Sequence, residues 1–335
     1  MKIGIFPRTP TSAISFYRGI GPLGEMRKSN PDIEFTVLTE LSWAICKELD
    51  LLFVARPNTQ NDLAILNIAK RNKLPIVMDW DDDPFTVPVG NPAYQHHQKS
   101  TDVMKDCLKL ADHVICSTIE VERAVKGFCP NTTIIPNAFD NTLFDLPTQH
   151  TKRRRNIVWR GGSTHRDDVM EHQDAIVAAA KGNPDWLFTF IGDTFGAFEG
   201  ISNIQFVEFT ELMYYIDLLH RMEPAIVVVP LKENNFNKAK SNIAWIEATY
   251  AGATTLAPSW SEAWDKPGIM RYKDKKDFGF KLNQLIKDAT LYPAAWTASA
   301  EYIRNNLMLT DLNKERYRVI KEVYNGRDIS KNKVS

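Results

Sequence analysis

The stretch Phe236–Pro258, FNKAKSNIAWIEATYAGATTLAP, decides how the rest of the chain is read. It opens on polar and basic residues, Asn237, Lys238, Lys240 and Ser241, runs through helix formers to Glu247, breaks at Gly252 and passes into a β-type run. The pattern predicts a helix over 240–251 beginning near Lys240. The first backbone N–H groups of a helix have no intrahelical partner and carry partial positive charge, so such a start is a seat for a diphosphate. Glu247 follows Lys240 by about two turns on the same face, within reach of a ribose. The layout points to a nucleotide-sugar site. Its plain alternative is an amphipathic helix with a polar start.

Working outward, two series of short apolar strands alternate with helical patterns. The first comprises Lys2–Pro7, Glu34–Leu38, Leu51–Ala55, Pro75–Trp80, His113–Thr118 and Thr132–Asn137, with helices over 62–73 and 100–110. The second comprises Asn156–Gly162, Trp186–Asp193, Ile204–Phe209, Ala225–Pro230 and Thr254–Pro258, with helices over 167–181, 211–222, 240–251 and 275–289. Helices over 293–305 and 311–324 close the chain, the last capped by Thr310 or Asp311. Near-continuous apolar strands separated by helices mean parallel sheets covered on both faces. The polar segment DLPTQHTKRRR (145–155) separates the two series. The expected class is α/β: residues 1–150 as a Rossmann-like acceptor domain, 151–310 as a Rossmann-like donor domain, and 311–335 as a helical tail returning to the first domain. In such sheets ligands bind at the carboxyl ends of the strands.

The chain has 335 residues, enough for two domains, and 44% of them are hydrophobic. Lys plus Arg and Asp plus Glu are both 41, a formal net charge of zero. That balance argues against a dedicated non-specific nucleic-acid binder, which carries excess base. Cys46, Cys107, Cys116 and Cys129 lack CxxC spacing and read as reduced core residues. No apolar run approaches the ~20 residues of a membrane span. A cytoplasmic protein without stable membrane insertion is expected; the oligomeric state is not legible.

A second strand–turn–helix, IVWRGGSTHRDDV (157–169), places Arg160, Gly161, Gly162 and His165 where a ligand phosphate would lie. In the first half, MDWDDDPF (78–85) sets Asp81, Asp82 and Asp83 at a strand end. There they would orient hydroxyls, act as a base or hold Mg²⁺ or Mn²⁺. Tyr17 and Arg18 sit in a glycine-bearing segment after the first strand, and His96 near the cleft mouth. The first loop lacks GxGxxG, which argues against a dinucleotide enzyme.

These pieces together resemble the GT-B glycosyltransferases, specifically the large retaining, family 4-like group that includes bacterial and phage polysaccharide-type and phage DNA-modifying transferases. The resemblance rests on IVWRGGSTHRDD, WLFTFIGD, AIVVVPL and FNKAKSNIAWIEATYAG with TTLAP in the second half. In the first it rests on KIGIFP with YRGIGPL, PIVMDWDDDPF, ADHVICST and TTIIPNAFD. In order and spacing they span about residues 1–310. The resemblance implies retaining transfer of a sugar, hexosyl or pentosyl, from a nucleoside-diphosphate sugar to a hydroxyl, with a UDP-sugar as leading donor and no required cofactor or metal. It implies Lys240, Arg160, Asp81 and Asp82 as catalytic residues. Gly161, Gly162, His165, Thr194, Asn237, Ser241, Asn242 and Glu247 would bind donor, and Tyr17, Arg18, Asp83 and His96 acceptor. The base would lie near Thr194 and Phe195. One departure stands out: the family pairs two glutamates, and the first falls here on Ala239. The acceptor is a glycan or a hydroxymethylated pyrimidine in phage DNA. The alternative is a non-catalytic sugar-nucleotide-binding protein, or a nucleotide-sugar hydrolase or epimerase, on the same fold.

Overall fold

The computed structural model describes residues 1–7, 12–193, 196 and 198–332, with backbone alone for 327–332. Twelve strands form two six-stranded sheets. The first holds β1 (Lys2–Phe6), β2 (Glu34–Val37), β3 (Leu51–Ala55), β4 (Ile76–Trp80), β5 (His113–Cys116) and β6 (Thr132–Ile134), in the order β2-β1-β3-β4-β5-β6. The second holds β7 (Arg154–Gly161), β8 (Leu187–Gly192), β9 (Ile204–Val207), β10 (Pro224–Val228), β11 (Thr254–Pro258) and β12 (Ile269–Tyr272), in the order β12-β11-β10-β7-β8-β9. Every pairing within them is parallel. Strand order reverses between β1 and β3 and again between β7 and β10. A crevice opens outside the strand ends at such switch points.

Alternate strand residues feed opposite faces, as the two-residue period requires. In the first sheet Leu52, Val54, Met78 and Trp80 pack to one side, and Ile3, Ile5, Phe53, Val77 and Ile115 to the other. In the second, Ile157, Trp159, Phe188 and Val228 oppose Val158, Ile191 and Val227. The last helix, Leu309–Asn332, returns to the first sheet, where Val319 and Ile320 join Ile3, Ile5 and Leu23. All four cysteines are buried and unpaired, and Trp80, Trp159, Trp186 and Trp245 lie in the cores.

Several element boundaries differ from the sequence reading. The helix expected from Lys240 begins at Ile243, after a separate turn over Asn235–Lys238. Asn234 caps that turn through Asn237 N–H at 2.8 Å, and the run 239–242 that follows it is irregular. Thr310 and Asp311 lie inside the first turn of the final helix, so neither caps it. Strand β12 is four residues long and carries Arg271, too little alternation to register as a strand. The segment after β1 folds into helices Ala13–Arg18 and Ile20–Ser29. Gly21 serves their junction rather than a ligand, since a Cβ there would sit 2.1 Å from the Phe16 carbonyl oxygen.

Arg18, 1% exposed, ties this junction to the sheet. Its Nε donates to Asp79 Oδ1 at 2.7 Å, and its Nη1 to the Ile135 carbonyl at 2.7 Å and Asn137 Oδ1 at 3.2 Å. Burial raises the Asp79 carboxyl above the usual carboxylate range despite Arg18 and Arg316. Burial, then the Arg18 charge, lowers Arg316 to about 10. Removing one partner of a buried pair strands the other charge and costs about 3–5 kcal/mol. Arg18→Ala is therefore expected to destabilise the first domain by about that amount in urea unfolding. An unchanged unfolding midpoint would show that the pair does not hold the junction.

Candidate active site

The carboxyl edges of the two sheets face each other across a cleft with two adjoining chambers. One, of about 280 Å³, lies at the β7/β10 switch point and is lined by Arg56, Asp81, Asp82, Arg160, His165, Lys240 and Ser241 among others. The other, of about 520 Å³, extends past Tyr17, Gly161, Gly162, Tyr215 and Glu247 to Phe209. The structure thus brings Asp81, Asp82, Arg160, His165, Lys240, Ser241, Glu247, Tyr17 and both glycines to one place. Thr194 and Phe195 lie outside the described residues.

Glu247 organises the larger chamber. It sits in helix Ile243–Tyr250 and is 6% exposed. Its Oε2 receives Arg160 Nε at 3.0 Å, Arg160 Nη2 at 2.8 Å and the Tyr215 hydroxyl at 3.0 Å. Its Oε1 receives the Tyr17 hydroxyl at 2.8 Å, reaching across from the first domain. Burial, then the Glu247 charge, raises both phenols well above their usual range, so both remain donors. Burial alone would lower the Arg160 guanidinium, but Glu247 and the two tyrosines outweigh it and raise it. Oε2 is thus crowded by three donors, whereas Oε1 receives Tyr17 alone and keeps a lone pair for a ribose hydroxyl.

Arg160 reaches this position because β7 ends there. At Gly161 the Trp159 ring folds back so closely that a Cβ would meet it at 2.6 Å. Close approach by a neighbouring side chain is thus what requires that glycine. His165 follows in a short 3₁₀ turn, its Nδ1 2.9 Å from Asp168 Oδ2.

The smaller chamber is crossed by one ion pair, Lys240 with Asp82, and bordered by Arg56 with Asp81 and Asp82 on the first sheet's side. Lys240 Nζ lies 2.9 Å from Asp82 Oδ2 and stacks 4.0 Å over the Phe236 ring. Arg56 Nη1 lies 2.9 Å from Asp81 Oδ1 and 3.8 Å from Asp82 Oδ2. Burial would raise the Asp82 carboxyl, yet Lys240 and Arg56 outweigh it and hold the group below its usual value. Ser241 Oγ accepts from Asn137 Nδ2 at 2.8 Å, and the Ala239 carbonyl accepts from Thr118 Oγ1 at 3.1 Å, two further contacts across the cleft. Ala239 packs in the core of the first domain. Asp81 and Asp82 pair with cations, while Asp83 turns away, so the three carboxylates share no common point. Among the described residues no group of three His, Cys, Asp or Glu converges as a metal site.

Asn237, Asp83, Arg18 and His96 bond to other neighbours, and Asn242 is buried beside the helix start. Asn237 is buried, its amide donating to Asp168 Oδ1 at 2.6 Å and the Lys232 carbonyl at 2.9 Å, so it braces the loop after β10. Asn242 is buried at the residue preceding the helix. Asp83 caps its own turn through Phe85 N–H at 2.9 Å and the Thr86 hydroxyl at 2.7 Å. Arg18 touches the chamber wall, but its guanidinium is committed to Asp79, Ile135 and Asn137. His96 is exposed on helix Tyr94–Leu110, 3.4 Å from the Asn58 amide and away from the chambers. Asp83 is bonded through both carboxylate oxygens, whereas Asn237 Oδ1 and Arg18 Nη2 are buried without a hydrogen-bond partner among the described residues. The sequence reading missed Arg56, Tyr215 and Asp168. Arg56 had a usable signal, a basic residue directly after the strand LLFVA; Tyr215 and Asp168 looked like ordinary helix residues.

No protein-family model and no curated protein sequence matches this chain. Solved structures do. The chain is similar to Anabaena Alr3699/HepE in complex with UDP and glucose at 14% identity and TM-score 0.69, covering 96% of this chain and 100% of that one. It is similar to sucrose-phosphate synthase from Thermosynechococcus elongatus at 12% identity and TM-score 0.69, covering 97% and 100%. It is also similar to an α-glucosyltransferase in complex with UDP-glucose and DNA containing an abasic site, at 12% identity and TM-score 0.60, covering 96% and 99%. A UDP-GlcNAc 2-epimerase from Neisseria meningitidis shares the architecture as well. The fold is GT-B. No helix among the described residues is long and apolar enough to cross a membrane.

The lowered Asp82 has a consequence for pH. A carboxyl held below its unfolded value near 3.9 gives full stabilisation above about pH 4 and loses it as pH falls through the lowered value. Asp82→Asn is expected to flatten the acid limb of melting temperature against pH below about 4. An acid limb identical to that of the unsubstituted protein would show the pair to be energetically silent.

Proposed function

We propose that this protein is a retaining glycosyltransferase that moves a sugar from a nucleoside-diphosphate sugar, UDP-linked in the first instance, to a hydroxyl acceptor. The observation that carries the reading is the convergence of Arg160, Lys240, Ser241 and the head of helix Ile243–Tyr250 on the β7/β10 crevice, opposite Asp81 and Asp82. Fold alone does not define activity, and epimerases share this one. The site adds what transfer needs.

In this reading the diphosphate lies against Lys240, Arg160 and the unpaired N–H groups of Ile243 and Ala244. As the sugar–phosphate bond opens, negative charge grows on the leaving oxygen. Donors already in place stabilise it without reorganising, and each contributes about 2.7–4 kcal/mol in a water-poor site. Ser241 accepts from Asn137 and keeps its own O–H to donate. The leaving diphosphate takes the acceptor proton on the face it vacates, which retains the anomeric configuration. Glu247 receives a ribose hydroxyl on Oε1, beside the Tyr17 hydroxyl. Asp81 and Asp82 meet the same space from the first domain, where the transferred sugar and the acceptor hydroxyl approach each other. The acceptor is a glycan or a hydroxymethylated pyrimidine in DNA. The cleft opens to solvent at Phe209, which is 81% exposed, so a bulky acceptor has access.

Incubation with UDP-, GDP-, ADP- and CDP-sugars and each acceptor class is expected to release one nucleoside diphosphate and add mass to one acceptor, read by mass spectrometry. The product's anomeric configuration, read by NMR, is expected to match the donor's. Lys240→Ala should lower turnover by about 10²–10³-fold, and Glu247→Ala should raise the donor KM. Near-normal rates in both variants would move the site elsewhere. Binding without turnover on any acceptor would favour the sugar-nucleotide-binding protein.

A further inference from the structure

Arg56 stands at the carboxyl end of β3 with φ of 48°, in the left-handed region. A non-glycine residue there costs about 1–2 kcal/mol. Glycine would relieve that cost, so the arginine side chain has to contribute something in return. Its backbone N–H donates to the Asp79 carbonyl at 3.0 Å, which fixes the turn. Its guanidinium is 12% exposed, lines the smaller chamber, and stands near both Asp81, at 2.9 Å, and Asp82, at 3.8 Å.

Lys240, which the proposed function assigns to the diphosphate, is held 2.9 Å from Asp82. Two neighbouring carboxylates thus share two cations. A diphosphate that engages Lys240 competes with Asp82 for its charge, and to the extent that Lys240 is drawn away Asp81 and Asp82 face a single cation. A planar guanidinium suits this position, because it delocalises its charge, keeps it at any working pH and presents several donors to two acceptors. A side chain without that charge would leave the carboxylates to hold Lys240 more tightly.

We propose that Arg56 is a positioning residue that neutralises the Asp81–Asp82 pair, so that Lys240 can exchange from Asp82 to the donor diphosphate. Donor binding is then an ion-pair exchange across the cleft, with Arg56 as the fixed counter-charge. The inference rests on the proposed donor site. Burial would lower the Arg56 guanidinium, but Asp81 and Asp82 outweigh it and raise it, in keeping with a permanent cation.

The test is a double-mutant cycle on binding of UDP, with GDP, ADP and CDP alongside, by calorimetry on the full chain. Arg56→Gln is expected to weaken binding of the preferred diphosphate about tenfold. Arg56→Lys, whose ammonium meets one carboxylate at a time, should give an intermediate loss. Adding Asp82→Asn removes the competitor for Lys240, and in both backgrounds should restore affinity to that of Asp82→Asn alone. A merely structural Arg56 would give losses that a second substitution cannot repair; thermal melts identify folded variants, and the Arg56→Lys pair carries the test if Arg56→Gln does not fold. Unchanged affinity in Arg56→Gln, or no rescue by Asp82→Asn, overturns the exchange while the donor site stands. Failure of the unsubstituted protein to bind any of the four diphosphates removes the donor site, and this inference with it.

Discussion

The carboxylate of Glu247 is buried where the two domains meet, and a charge so placed persists only with full compensation. Stranding an ion in that environment costs several kcal/mol. Arg160 from the end of β7, Tyr215 from helix Leu212–Met222 and Tyr17 from the first domain supply the compensation together. The same four side chains therefore shape the larger chamber and join the domains. A ligand hydroxyl that reaches Glu247 Oε1 shares that oxygen with Tyr17, which comes from the other sheet's side of the cleft.

The smaller chamber follows the same logic with ions on both sides. Lys240 faces Asp82 across the cleft at ion-pair distance, and Arg56 pairs with Asp81 on the first sheet's side, all of them part-buried rather than sealed. Such pairs are strong enough to hold a cleft and exposed enough to exchange. Arg18 and Asp79 make the contrast: both side chains are all but inaccessible to solvent, and the pair ties the helix junction to the first sheet. Residues of like chemistry in neighbouring stretches of sequence thus divide into a fixed pair and an exchangeable pair according to their access to the cleft.

Much of the fold was legible because parallel strands buried on both faces leave an unmistakable apolar record. LLFVA and TTLAP match β3 and β11 residue for residue. The edge strand β12, with an arginine among four residues, left none. The candidate site was legible where a residue stands directly at a strand end, as with Arg160, Asp81 and Asp82. It was illegible where local bonding competes. Asn237 and Asp83 are polar residues in promising segments, yet nearer partners claim them. Arg56 is recognisable as functional only through its backbone angle and its two carboxylate neighbours.

By itself the sequence determined two series of parallel strands with their covering helices and most of the strand ends carrying polar groups, because period-two burial and helix periodicity are local and repeat along the chain. Tertiary structure alone decided which of those groups face each other. Tyr17 meets Glu247, Lys240 meets Asp82 and Asn137 meets Ser241 across more than a hundred residues of chain in each case. Pairings of that kind arise from the packing of one sheet edge against another, and no local pattern encodes them.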